Sequence, residues 1–340
     1  MIQPSTSRRD KLISGVIAAL VAVILYQAVA RVPPAPQPAA ASEAAVQLAA
    51  CPAPLKLYQP ARKADFSTDF YGMRYRGNTG NELDMVVLFL GAWEKPILYF
   101  LRDTLTSAAG KDGVFIDVGA NVGQHSMFMS KYAKRVHSFE PYERVLKVFR
   151  DMQAENKLEN IAIHPVGLGA KAETVLFYEP PDNNLGTGSF LPNFYPGNHA
   201  GSPLRIVVGD EALEEAGIDR VDLIKIDIEG YEKPALAGLK QTLAKHRPIV
   251  VMEITINPSE THLFTSEQDL LAAFPEGYEF RMFDTKPAQE ISGEYHLLKV
   301  VLDFQVAQQH DLAVFPREKR KFIQLAGGGD GTIARPGILR

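Results

Sequence analysis

The sequence predicts an α/β fold. It should be a doubly wound, mostly parallel sheet of about seven strands, the last antiparallel, preceded by an N-terminal transmembrane helix. Three observations carry this prediction. Apolar runs of four to six residues recur between residues 113 and 304, as expected for strands covered on both faces. Stretches of helical period separate them, and strand–helix alternation of that kind implies right-handed crossovers. Ahead of both, Leu12 to Ala30 runs for 19 residues without a charge, which at ~1.5 Å per residue nearly spans a hydrocarbon core.

The N-terminal segment is the first element. Arg8, Arg9 and Lys11 precede it and Arg31 alone follows. The positive-inside rule therefore keeps residues 1–11 cytosolic, makes 12–30 a single-pass anchor and sends the rest across. The membrane would be that of a secretory compartment or a bacterial inner membrane. Two cleavable readings compete: "AVA" at 28–30 is an acceptable signal-peptidase site, and "SRRDKL" resembles a twin-arginine signal. The length of the apolar run favours an uncleaved anchor. Residues 31–60 are rich in Pro and Ala, hold few large apolar side chains, and read as a stalk. Cys51 is the one cysteine, so no disulfide within the chain and no cysteine-based zinc site can form. Its "LAAC" setting matches a lipoprotein box, but the apolar segment that should abut it ends near Ala30.

Residues 61–110 form an N-terminal helical cap, in which "LDMVVLFLGAWEKPILYFLRDTL" predicts a helix broken at Gly91 and restarted through Pro96. Residues 111–304 form the main domain. "GVFIDVG" is a buried strand, "NVGQHSMFMSKYA" opens a helix, "RVHSFEP" is a strand and "YERVLKVFRDMQAENK" an amphipathic helix. "NIAIHPVGLG" and "ETVLFYEP" are strands, as is "VDLIKIDIEG", followed by the helix "EKPALAGLKQTLAKH". "RPIVVMEI" is a strand, "SEQDLLAAF" a helix, and "YEFRMFD" and "YHLLKVVLDF" close the sheet. Residues 305–340 are a tail, with "REKRK" at 317–321 a solvated basic cluster.

The net charge of −4 on 340 residues excludes an ordinary nucleic-acid binder, which carries a basic face. The chemistry concentrates in "VFIDVGANVGQHS". Asp117 ends a strand, Gly119 and Gly123 line the turn, and a helix N-terminus follows with free N–H donors. Glu140 ends the next strand, placed to hold two ribose hydroxyls. A dinucleotide fold would want G-x-G-x-x-G. The acid and the D-x-G-x-x-x-G spacing point instead to a nucleoside cofactor with an amino group, such as S-adenosylmethionine.

"FIDVGANVGQHS", "FEP", "VDLIKIDIEGYE" and "PIVVMEI" resemble the FkbM-type family of S-adenosylmethionine-dependent methyltransferases, over roughly residues 66–302. The resemblance implies a Rossmann-like methyltransferase sheet. It implies cofactor roles for Asp117, Gly119, Ala120, Asn121, Gly123 and Glu140, with Pro141 and Gly167 beside them. It further implies O-methylation of a sugar, glycan or small natural product. The expected partners are that acceptor, the membrane and, as a separate expectation, a second copy in a homodimer. "HPVGLG" departs from many methyltransferases in lacking an acid at the third strand end, which leaves the adenine contact open.

In "KIDIEGYE", strand alternation puts Lys225, Asp227 and Glu229 on one side, opening towards the crevice. A carboxylate there can take a proton from a substrate hydroxyl, and the lysine lowers the cost of burying the acids. A structural ion pair is the competing reading for Lys225 and Asp227. Glu253, ending "VVMEI", could face the same crevice. Asp227 and Glu253 leave room for a magnesium ion, although no metal is assigned. The sulfonium charge disappears during methyl transfer, so strong excess negative charge is not expected at the site. "DNNLGTGSFLPNFYPGNHAGSP" (182–203) reads as a lid or substrate loop, with Ser189, Asn193, Phe194 and Tyr195 as acceptor-lining candidates. His262 could reach the acceptor from a loop, and His125 opens the helix after the cofactor turn.

Overall fold

The computed structural model describes residues 63–260, 262–284 and 287–323. The expected anchor and stalk lie outside these residues. Among the described residues no helix is long and apolar enough to cross a membrane.

The chain begins with an antiparallel hairpin, β1 (Asp65–Phe70) and β2 (Met73–Asn78), where the sequence suggested helix alone. Helix α1 (Glu82–Leu90) follows, its N-terminus capped by Asn81, whose side chain accepts from the amides of Leu83 and Asp84. It stops at Gly91 as the sequence indicates, and α2 (Lys95–Ala109) restarts with Pro96 in its first turn. The chain then alternates through β3 (Val114–Val118), α3 (Gln124–Met129), β4 (Arg135–Phe139), α4 (Glu143–Glu155) and β5 (Ile161–His164). Next come β6 (Gly167–Gly169), β7 (Glu173–Glu179), β8 (His199–Val208), α5 (Gly209–Glu215) and β9 (Leu223–Ile226). The remainder is α6 (Glu232–Gly238), α7 (Lys240–His246), β10 (Ile249–Ile256), α8 (Glu267–Ala272), β11 (Tyr278–Phe283), α9 (Pro287–Ser292), β12 (Leu297–Lys299) and β13 (Gln308–Pro316).

The main sheet has eight strands in the order β12-β11-β13-β10-β9-β3-β4-β5, with β10-β9-β3-β4-β5 all parallel. It is doubly wound because alternate residues of each central strand face opposite helical layers. Phe115, Leu223 and Val251 pack with α2, α3 and α4, while Ile116, Ile224 and Val250 pack with α6 to α8.

Three expectations need correction. The long antiparallel strand is β13, between β10 and β11, and not the run at 295–304, which contributes only the short edge strand β12. "LAVF" in β13 follows the polar "QQHD", which hid it; residues beyond 304 thus belong to the sheet. "NIAIHPVGLG" is split around Pro165: β5 stays in the main sheet and β6 joins a separate sheet, β6-β8-β7. Finally, the supposed loop at 182–203 becomes strand from His199 onward.

Candidate active site

At the C-terminal ends of β3, β4 and β9 lies a cavity of about 60 Å³, lined in part by Gly119, Asn121, Glu140, Pro141, Asp227, Ile228 and Glu229. The rest of the lining is Tyr142 and Val145 from the start of α4, Phe177 from β7, and Leu185, Gly186, Gly188 and Phe190 from the loop that follows β7. This is the strand-end crevice where α/β sheets hold ligands.

Gly119 has φ +86°, and a Cβ there would sit 1.9 Å from the main-chain oxygen of Asp227. The turn after β3 and the turn after β9 therefore touch through this glycine. Gly123 also has no room for a side chain, but for another reason: its space is filled by the ring of Phe149, 2.1 Å from the Cβ position. Its role is helix packing, not an opening for a ligand. Asp117 is 1% exposed and lies beneath the turn, with Oδ2 accepting from Ser126 Oγ at 2.5 Å and Ser126 in turn 2.7 Å from Ser138 Oγ. Ala120 is buried in the core, and Gly167 is closed over by Ile206. Of the eight expected cofactor residues, Gly119, Asn121, Glu140 and Pro141 line the cavity; Asp117, Ala120, Gly123 and Gly167 do not.

Glu140 accepts the amide N–H groups of Asn121 and Tyr142, each at 2.9 Å, on different carboxylate oxygens. Each oxygen keeps a lone pair, which suits two ribose hydroxyls. Burial pushes its pKa up to about 7, against the two amide bonds, with Asp117 and Asp227 adding to the rise. Glu232 is buried too, and its Oε1 accepts from Ile228 and Gly230, closing the turn after β9. Burial likewise raises it to about 7. Both groups stabilise the fold fully below the ordinary glutamate range and lose that contribution as pH rises through 7. The melting temperature of the cofactor-free protein is therefore expected to fall between pH 5 and pH 8. Combining Glu140→Gln with Glu232→Gln should flatten that slope in thermal melts; an unchanged slope would count against these two groups as its source.

The "KIDIEG" stretch behaves only partly as alternation suggests. Strand β9 ends at Ile226; Asp227 is held by its amide bonding to Val118 O at 3.0 Å, and Glu229 has a left-handed backbone at φ 51°. Lys225 is 4% exposed, and its Nζ lies 2.7 Å from Asp227 Oδ2. Burial alone would lower its pKa, but Asp227, Glu94 and Asp117 outweigh this and raise it. Carboxylate oxygens of Asp227, Glu229 and Glu253 lie within 4.8 Å of one another. The four expected acid–base residues are thus brought together. Three carboxylates so placed could take a divalent cation.

Sequence reasoning missed Glu94. It connects α1 to α2 and places Oε2 at 3.3 Å from His125 Nε2 and 3.9 Å from Lys225 Nζ. Burial would raise its pKa, but Lys225 and His125 hold it down at about 2. Asp311, on β13 opposite Glu253, was missed with its strand, and burial raises its pKa. The only available signal for Glu94 was its place just before the Pro96 restart.

The 182–203 candidates are redistributed. Ser189 is fully buried and donates to Glu229 O at 2.6 Å, so it ties the loop to the β9 turn and does not face an acceptor. Phe194 packs on Gly230, where its ring occupies the Cβ position at 2.6 Å. Asn193 is an exposed turn residue with φ 57°, and Tyr195 is half-buried; neither lines the cavity. His262 is exposed and also lies outside the lining. The loop's earlier part, Leu185 to Phe190, instead roofs the cavity beside Glu140.

The methyltransferase FkbM domain matches residues 117–283, from the acid of β3 to the end of β11. Residues 117–283 are therefore a segment of FkbM methyltransferase type. It is 24% identical over 169 residues to the hexuronic acid methyltransferase AglP of Haloferax volcanii, an overlap covering 49% of this chain and 66% of that protein. Among solved structures it is similar to the methyltransferase FkbM from Methylobacillus flagellatus KT, with a TM-score of 0.38 and 19% identity over 60% of this chain and 44% of that one. A Streptococcus mutans protein in complex with SAH is also similar, with a TM-score of 0.38 and 11% identity over 65% of this chain and 97% of that one.

Proposed function

We propose that this chain transfers a methyl group from S-adenosylmethionine to a hydroxyl oxygen of a sugar, a glycan or a hydroxylated natural product. The observation that carries the reading is the strand-end cavity lined by Glu140 together with Tyr142, Phe177 and Phe190. A carboxylate suits a ribose and aromatic faces suit an adenine. These donors fit an adenosyl cofactor in chemistry, while a volume of about 60 Å³ is below the ~300 Å³ of the smallest usual ligand pockets. Leu185 to Phe190 therefore have to give way when the cofactor enters. A sugar acceptor is favoured by the likeness to a hexuronic acid methyltransferase.

The cofactor would supply an electrophilic methyl carbon. Glu140 would hold the ribose, and the Gly119 turn would let it lie close to the backbone. Asp227, at the cavity edge and paired with Lys225, would accept the acceptor's proton, with Glu229 and Glu253 beside it. The protein's main contribution is to hold the acceptor oxygen in line in a site shielded from water. We further propose that residues 12–30 anchor the domain to a membrane; protease protection in intact vesicles would place the domain on one side.

Calorimetric titration with S-adenosylhomocysteine, followed by turnover with neutral hexosides, hexuronides and glycans, tests the reading. Glu140→Ala is expected to cost ~1.5–3 kcal/mol of cofactor affinity while the fold survives. Unchanged affinity would remove Glu140 from the site. Binding without turnover of any acceptor would favour a non-catalytic role.

A further inference from the structure

Glu94 lies upstream of the matched segment 117–283 and sits in an unusual setting. Its backbone is left-handed, with φ 52° and ψ 45°, a conformation that non-glycine residues rarely adopt. The loop carrying it is clamped: Trp93 N–H donates to Gln124 Oε1 at 2.7 Å, and Gln124 Nε2 donates to Trp93 O at 3.0 Å. Gln124 begins the helix after the cofactor turn. The N-terminal cap is thus locked to that turn in a way that delivers one carboxylate to Lys225.

The consequence is one of charge. Lys225 is shared between Glu94 at 3.9 Å and Asp227 at 2.7 Å, two carboxylates on one ammonium. Asp227 lines the cavity, and oxygens of Glu229 and Glu253 lie within 4.8 Å of its own. Such an excess of acids is the reverse of the sequence expectation for a site whose cofactor loses its positive charge in the reaction. A negative wall favours a sulfonium cation over the neutral thioether left after transfer.

We propose that Glu94 is a positioning residue that sets this charge: by sharing Lys225 with Asp227 it keeps the cavity wall net negative, so that the chain holds S-adenosylmethionine in preference to S-adenosylhomocysteine. The inference rests on reading the cavity as the S-adenosylmethionine site. It gives the N-terminal cap a task in cofactor discrimination and in release of the spent cofactor.

The test is calorimetric titration with S-adenosylmethionine and with S-adenosylhomocysteine, in chelator-containing buffer, on the full chain. The wild type should prefer the cation. Glu94→Gln should weaken S-adenosylmethionine by about fivefold, as expected for one charge removed at this range in a partly screened site, and leave S-adenosylhomocysteine within about twofold. Glu94→Asp, which keeps the charge, should restore the preference, and His125→Asn should retain it. If Glu94→Gln alone does not fold, combining it with His125→Asn replaces the buried pair by a neutral one and should show the same loss. Equal affinity of the wild type for both ligands, or a Glu94→Gln loss shared equally by both, overturns the inference while leaving the cofactor reading intact. Binding of neither ligand by the wild type overturns both.

Discussion

Asp227→Asn is expected to lower the rate of methyl transfer by ~10²–10⁴-fold, the usual contribution of a positioned proton acceptor. The fold and the affinity for the neutral S-adenosylhomocysteine should change little, while the affinity for the cationic S-adenosylmethionine should fall with the lost wall charge, as for Glu94→Gln. The amide is isosteric, and the main-chain bond from Asp227 N to Val118 O is untouched. Single-turnover transfer, with S-adenosylhomocysteine titration and a thermal melt alongside, separates the two effects. Full activity in the variant would sink the assignment and move it to Glu229 or Glu253, whose oxygens share the cluster.

Lys225→Met should do the opposite: a large loss of stability. The Lys225 side chain is 5% exposed, its ammonium pairs with Asp227 and Glu94, and the residue lies opposite Asp117 in register. Methionine fills a similar volume but strands the carboxylates in the sheet. Removing one partner of a buried ion pair costs ~3–5 kcal/mol, or roughly 10 °C in melting temperature for a domain of this size. The penalty has a definite pH dependence. Lys225 and His125 depress Glu94 to about 2, so this contribution is present above the ordinary glutamate range and is lost as pH falls through 2. Melts should show the variant furthest below wild type at neutral pH and converging with it in acid. A constant difference across that range would mean that lost packing, and not lost charge, is the cause.

The acid–base half of the candidate site was legible because its residues are local. Lys225, Asp227 and Glu229 lie within five positions, and Glu140 ends the strand after the glycine turn. Glu94 and Asp311 were not legible, since each comes from an element far away in sequence and neither sits in a motif. The glycines show a subtler limit. Both glycines line the turn in the sequence, but only the packed structure distinguishes Gly119, which faces Asp227 O and the cavity, from Gly123, which faces Phe149. Ser189 is an acceptor-lining candidate by its place in a long, turn-rich loop, whereas in the fold its hydroxyl donates to the Glu229 carbonyl.

What the sequence by itself determined was the alternation of strands and helices, the glycine turn after β3, the break at Gly91 and the chemistry clustered at the strand ends. Each depends on near neighbours: side-chain period, capping and turn preference act over a few residues. Tertiary structure alone decided the order of strands, with β13 inserted between β10 and β11, and the separate sheet that carries Phe177. It alone decided that Leu185 to Phe190 roof the cavity and that Glu94 reaches Lys225. These depend on burying apolar faces and pairing charges across long separations, and a lone acid before a helix does not announce which cation it will meet.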